Sequence, residues 1–403
     1  MIELERIKAA SKCVSKVVAK TPFAFAPLLS ERTRKNIFLK KENLQVTGAF
    51  KLRGAFNKIS TLSEEQKEAG VVAASAGNHA QGVAFSANYY GVDATIVMPE
   101  NTPLTKINGV KAYGAKVVLA GKNYDEAYLH AVNLAKDQNK TFVHPFADEE
   151  VMAGQGTIAL EILEEKEDID AIVVPIGGGG LIAGIASAIK QIDPKIKVIG
   201  VTAAGAPAMR NSYLLGKAVD STEVRTIADG IAVRDTSPKT LEIILETVDD
   251  IVEVDDEEIA DAILFLLENQ KLLVEGAGAV GVAALLYDKI DLPQDSNVAV
   301  VLSGGNIDVT MLSVIIEKGL IKSYRKMKLI VTLIDKPGSL MKLTELLASV
   351  SANIVSIGYD RTSTHLAFGD ANVSIALETK GKEHQEQIRK LLSEHGYRYH
   401  EER

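Results

Sequence analysis

Four consecutive glycines, Gly177-Gly178-Gly179-Gly180, stand between an apolar run and a stretch of helical pattern. Glycines at such a junction let backbone N–H groups converge on an anion, and the positive end of the helix dipole adds to the attraction. One glycine would serve a tight turn; four favour a phosphate cradle. Gly178, Gly180 and Ala183 also satisfy the relaxed dinucleotide pattern G-x-G-x-x-A. The place where an acid should hold the ribose reads Thr202-Ala203-Ala204, so a nicotinamide dinucleotide is set aside. The second reactive segment is Thr47-Gly48-Ala49-Phe50-Lys51-Leu52-Arg53-Gly54-Ala55. A lone lysine between apolar residues usually snorkels to solvent. Lys51, however, has small neighbours on both sides that leave room for a bulky group. A lysine desolvated in this way has a lowered pKa and condenses with aldehydes. A phosphate cradle and a reactive lysine together call for pyridoxal 5′-phosphate, which carries both functions.

The elements that must hold these residues are legible as short apolar runs alternating with helical patterns. Val71–Ala74, Ala94–Met98, Lys116–Leu119, Ala171–Ile176, Val198–Val201 and Val298–Leu302 read as strands. Asn123–Lys136 and Leu181–Lys190 read as helices, and Asp255 or Asp256 caps another that carries Ile259, Ile263, Leu266 and Leu267 on one face. Strand–helix alternation with nearly continuous apolar strands implies parallel sheets covered on both faces. Ligands in such sheets sit beyond the carboxyl ends of the strands. Three Gly-containing turns lie there: Ser75–His79, Gly177–Gly180 and Ser303–Asn306.

Composition narrows the alternatives. The 403 residues suggest several domains, and 46% hydrophobic with 24% charged residues is ordinary for a globular chain. A net charge of −8 without a long basic block argues against nucleic acid. The single cysteine, Cys13, excludes an intrachain disulfide and any thiolate metal cluster. No apolar stretch reaches the roughly 18 residues of a membrane span. The charged N-terminus, MIELERIKAASK, has no apolar signal core, and a cytoplasmic protein is expected. Lone histidines such as His130 and His144 read as surface or satisfied core residues. Glu275 opens a helix after a loop and reads as a plain acid at a helix start.

Several segments carry a resemblance. Lys40-Lys41-Glu42-Asn43 through Ala55, Ser75-Ala76-Gly77-Asn78-His79-Ala80-Gln81-Gly82, Gly177–Leu181, Ala228–Val233 and Ser303-Gly304-Gly305-Asn306 follow the order found in threonine dehydratases. The chain resembles these fold-type II pyridoxal-phosphate enzymes, relatives of the tryptophan synthase β subunit. The resemblance implies an α/β protein with two open twisted parallel-sheet domains. It implies that Lys51 holds the cofactor as a Schiff base and serves as the base at Cα. Gly177, Gly178, Gly179, Gly180 and Leu181 would offer amides to the phosphate. Asn78 would face the phenolic oxygen, Phe50 would pack beside the ring, and Ser303 would face the pyridine nitrogen. The resemblance also implies a second reading of Glu275, as a group near the cofactor. Ser75, Ala76, Gly77, Asn78 and His79 would form the substrate-carboxylate loop. A neutral serine at the ring nitrogen draws less charge into the ring than an aspartate would, which suits β-elimination over transamination.

Two departures discriminate within the resemblance. Racemising relatives carry a second serine directly after the position of Ser75; here it is Ala76, which cannot move a proton. Some relatives bind a divalent cation through carboxylates after the strand at Val198–Val201; the segment here, Thr202–Ala208, has none, so no metal ligand is named. A monovalent cation held by carbonyls stays open and without a place. Other reactions on the same cofactor are serine racemase/dehydratase, 3-hydroxyaspartate dehydratase and threonine synthase; a sensor with a decayed catalytic half would lack the lysine or the glycines.

The texture changes near residue 322, where Lys322, Arg325, Lys326 and Lys328 read as a solvated linker. Beyond it, Leu329–Ile334, Ser339–Val350, Asn353–Tyr359, Asn372–Glu378 and Glu383–Glu394 give βαββα, with Gly396–His400 as a last short strand. This is a ferredoxin-like α+β pattern, and it resembles an ACT domain. The expected division is a catalytic region at 1–324, with a large subdomain at about 1–45 and 152–320 and a small one at about 46–151, and a regulatory domain at 325–403. The resemblance implies threonine and serine as substrates, isoleucine or valine as effector, and a homodimer or homotetramer.

Overall fold

The computed structural model describes residues 1–402. It divides into two compact units, Met1–Ile307 and the chain from Asp308 onward. The first unit holds two sheets. The larger has six strands in the order Phe23–Phe25, Asn36–Lys40, Asn297–Val301, Ala171–Pro175, Lys197–Ala203, Asp250–Val254. All neighbours are parallel except the first pair, so one edge departs from the all-parallel expectation. The smaller has four parallel strands in the order Lys116–Leu119, Ala94–Met98, Val71–Ala74, Thr141–Phe142.

The central strands are buried along their whole length, as their continuous apolar runs require. Ile172, Val174, Ala299 and Val301 pack with Ile182, Ile185 and Ile189 of helix Gly180–Ile192 in the core of the larger sheet. Each such side chain contributes about 1.5–3 kcal/mol by leaving water. The strand ends then open onto the three turns: Ala74 precedes Ser75, Pro175 lies two residues before Gly177, and Val301 lies two residues before Ser303. Asp255, not Asp256, caps helix Asp256–Phe265, and Glu258 completes a capping box.

The second unit has a four-stranded antiparallel sheet in the order Asn353–Asp360, Asp370–Glu378, Lys326–Ile334, Arg398–Glu402. Helices Ser339–Ser349 and Lys382–Glu394 supply Leu343, Leu347, Ile388 and Leu392 to a core with Met327, Leu329, Val331, Val373 and Ile375. Helix Val309–Lys322 precedes the first strand within this unit, so the expected cut at 324/325 falls inside it. The basic stretch is not a linker. Lys322 ends that helix, and Lys326 and Lys328 alternate with buried Met327 and Leu329 on the strand. Lys326 Nζ pairs with Glu317 at 2.7 Å. Period-two alternation puts the lysines on the open face and the apolar residues in the core.

Candidate active site

Lys51 opens helix Lys51–Ser60, with Phe50 as N-cap. The Phe50 N–H donates to the Ser303 carbonyl at 3.0 Å, which ties the start of this helix to the end of the strand Asn297–Val301. The close fit continues on the other side, where a Cβ on Gly82 of helix Asn78–Tyr90 would stand 3.1 Å from the Lys51 carbonyl. The ammonium donates to the Pro145 carbonyl at 3.0 Å. Burial pulls its pKa down to about 8, against the opposing pull of the Glu275 carboxylate. The half-buried amine therefore gives up its proton more readily than a surface lysine, as a carbonyl-capturing lysine requires.

The glycine run is joined to that lysine through one turn. Pro145 receives the Lys51 hydrogen bond, and its neighbour Phe146 covers the glycines. A Cβ on Gly178 would stand 2.4 Å from the Phe146 ring, and one on Gly180 would stand 2.8 Å from the Phe146 backbone. Gly179 has φ +87°, a left-handed conformation at the N-cap of helix Gly180–Ile192. Gly177 lies against the backbone of Ile231 in the segment Thr226–Val233. Leu181 is in the first turn of the helix and packs into the large-sheet core. Only glycine fits at these close approaches, and amides at a helix start are what a phosphate needs.

The third group surrounds Asn78, the first residue of helix Asn78–Tyr90. Its Nδ2 donates to Glu275 Oε1 at 2.8 Å, and its Oδ1 accepts from Asn306 Nδ2 at 2.7 Å. Asn306 Nδ2 also donates to the Thr47 carbonyl at 2.9 Å. These bonds fix the amide orientation and leave Asn78 one N–H to present. Glu275 is only 3% exposed and makes no side-chain cap to its own helix, Gly276–Leu286; its carboxylate turns to Asn78 instead. Its carboxyl fits because Gly304 lacks a Cβ, which would stand 2.4 Å away. Burial raises its pKa to about 7, offset in part by the Asn78 hydrogen bond.

Ser75 Oγ accepts from the Gly77 N–H at 3.2 Å, which shapes the turn after Val71–Ala74. Gly77 faces open space, and Ala76 packs against the small-sheet core. The His79 ring is buried and donates from Nε2 to the Val143 carbonyl at 2.9 Å. Burial beside Lys51 pushes its pKa down to about 3, so it is neutral. Its Nδ1 is buried without a partner among the described residues. Ser303 is buried next to Gly304 at the strand end.

Sequence reasoning missed Pro145, Phe146 and Asn306. His144 is a satisfied structural residue: its Nδ1 accepts from the Phe146 and Ala147 N–H groups at 3.2 and 2.9 Å and shapes the Pro145 turn. The signal available was His144-Pro145-Phe146 directly after a strand, a polar turn at the strand end that resembles the other three.

These residues fit pyridoxal phosphate. A glycine run at a helix start, a half-buried lysine bonded to the neighbouring turn and a buried serine at a strand end suit a group that carries a phosphate, an aldehyde and a ring nitrogen. The comparisons agree. Residues 14–304 match the model of the pyridoxal-phosphate dependent enzyme family. The chain is 49% identical to an L-threonine ammonia-lyase of Thermotoga maritima over 397 residues, covering 98% of each protein. Among solved structures, the processed form of threonine deaminase isoform 2 from Solanum lycopersicum matches with a TM-score of 0.74 and 39% identity, covering 78% of this chain and 87% of that one. Maize serine racemase matches with a TM-score of 0.75 and 34% identity, covering 80% and 99%. Sheet order, lysine, glycine run and these likenesses lead to one conclusion: the chain belongs to the pyridoxal-phosphate dependent enzyme family, in its threonine dehydratase group.

Proposed function

We propose that this enzyme is a carbon–nitrogen lyase that converts L-threonine to 2-oxobutanoate and ammonia, with L-serine to pyruvate as a secondary reaction. The observation that carries the reading is the Lys51 amine on the Pro145 carbonyl, one residue from Phe146, whose ring lies over Gly178 and whose backbone lies over Gly180. The ammonia-lyase that is 49% identical over nearly the whole chain supports the substrate.

Pyridoxal phosphate, when bound, supplies an aldehyde that captures the substrate amine and a ring that draws electrons from Cα. The Gly177–Gly180 amides would hold its phosphate end, and Ser303 would offer the ring nitrogen a neutral hydroxyl. Lys51, in the neutral form that its lowered pKa makes more accessible, takes the Cα proton onto Nζ. The C–O bond at Cβ then breaks, and the departing hydroxide takes up a proton and leaves as water. The enamine left behind takes up water and releases ammonia. Asn78, held by Glu275 and Asn306, presents its remaining N–H in one direction. The turn Ser75–His79 gathers backbone N–H groups at a helix start for the substrate carboxylate.

The likeness to maize serine racemase supports a second reading on the same scaffold, and Ala76 opposes it, because it offers no proton on the second face. The C-terminal unit, read as an ACT domain, makes the enzyme responsive to isoleucine or valine in a cytoplasmic homodimer or homotetramer. Steady-state kinetics on L-threonine and L-serine, with and without isoleucine, test both levels. Turnover of neither amino acid overturns the lyase reading, and D-serine formation favours the racemase.

A further inference from the structure

Arg53 is wholly buried, two residues beyond Lys51 on the same helix. All five of its N–H groups are used. Nε and Nη2 each donate to Glu42 at 2.8 Å; Nη1 donates to Thr157 Oγ1 at 3.1 Å and Glu161 Oε1 at 2.6 Å; Nη2 also reaches Glu161 Oε2 at 3.0 Å. Lys40, equally buried, joins through Glu161 at 2.7 Å and the Thr21 carbonyl at 2.8 Å. Apolar side chains of similar volume would hold a helix as firmly as a buried ion cluster. What the planar fork adds is a single geometry.

The segments joined here are those that carry the site. Glu42 begins the turn Glu42–Leu44, where the Asn43 N–H donates to the Leu302 carbonyl at 2.9 Å, next to Ser303. Thr157 and Glu161 lie on helix Glu149–Glu165, which acts as a spacer between the lysine and the glycine run. On one flank, a Cβ on Gly154 would stand 2.6 Å from the Arg53 carbonyl. On the other, a Cβ on Gly156 would stand 2.7 Å from the carbonyl of Gly184, a residue of the helix that the glycine run opens. Lysine helix, spacer and glycine helix thus touch backbone to backbone. Any slide of the first along the second moves Lys51 Nζ relative to the cradle.

We propose that Arg53 is a positioning residue: its clamp on Glu42 and Glu161 sets the reach of Lys51 toward Gly177–Gly180 and Ser303. Arg53→Lys keeps the charge and removes the fork. The variant, stripped of cofactor and titrated with pyridoxal phosphate, is expected to bind it more weakly than the parent, by more than the lowered thermal midpoint of the broken network accounts for. The pH midpoint of its lysine-linked visible band is expected to move, and kcat on threonine to fall by about 10²-fold with a smaller change in KM. A folded Arg53→Lys with parental affinity, pH midpoint and kcat would overturn the proposal. So would losses that merely track a lowered thermal midpoint. If Arg53→Lys does not fold, Glu161→Gln decides by the same readouts. The parent's own titration tests the cofactor assignment separately, so the two failures are distinguishable.

Discussion

The parallel sheets of the first unit and the antiparallel sheet of the second solve different problems. Ala171–Pro175 and Val71–Ala74 are buried on both faces, so side chains along them can only pack. Chemistry is pushed to the turns beyond their ends, where Gly177, Ser75 and their neighbours lie. Lys326–Ile334 alternates buried and half-buried residues, so one face of its sheet stays open along its length. The covered sheets make a dry site at one end; the open sheet makes a surface.

The sharpest test of the dry site is Lys51→Ala. Loss of the buried amine is expected to lower kcat by at least about 10²–10⁴-fold, with no cofactor fixed by borohydride. Retained turnover would break the link between the strand ends and the chemistry. A packing pair compares the sheets directly. Ile172→Ala should cost about 2–5 kcal/mol in denaturant unfolding of the full chain. Ile330→Ala, half-buried on the open face, should cost under about 1.5 kcal/mol. Equal costs would contradict the covered-versus-open distinction.

The pH response sharpens it further. The Glu275 carboxyl, raised to about 7, holds its proton more tightly in the fold than in the unfolded chain. Between about pH 4.3 and 7 the native state therefore binds more protons, and its contribution to stability is lost as pH rises through that window. Lys51, lowered to about 8, has the opposite sign: stability rises from about pH 8 to 10.4, where the unfolded chain binds more protons. In the cofactor-free protein, Glu275→Gln should remove the first slope, worth on the order of 3 kcal/mol, and start the second at a lower pH, because the carboxylate no longer holds the Lys51 pKa up. A thermal-midpoint series against pH that is unchanged by Glu275→Gln would count against the buried carboxyl. The smallest effect concerns the open sheet. Deleting the chain from Asp308 onward should abolish any response to isoleucine, a coupling of about 1–3 kcal/mol, while turnover persists. An unaltered response would remove the regulatory role from the second unit.

Much of this was legible before folding. Val71–Ala74, Ala94–Met98 and Lys116–Leu119 have the bounds that the apolar runs imply, because turn residues close each run. Asn36–Lys40 was not marked as a strand. It ends in a lysine, and Lys40 is tolerated at a buried position only because Glu161, far along the chain, pairs with it. Helix Glu149–Glu165 is likewise silent, since Gly154 and Gly156 look like breakers until the backbones they admit are known. At the site, the glycine run and the lysine stood out by residue type. Glu275 did not, because its burial depends on a missing Cβ at Gly304 and a partner at Asn78, contacts that no local pattern reveals.

The Pro145 carbonyl gives the Lys51 nitrogen a fixed partner. That partner belongs to the turn whose next residue packs against Gly178 and Gly180, so a disturbance of this one turn would reach the lysine and the glycine run together.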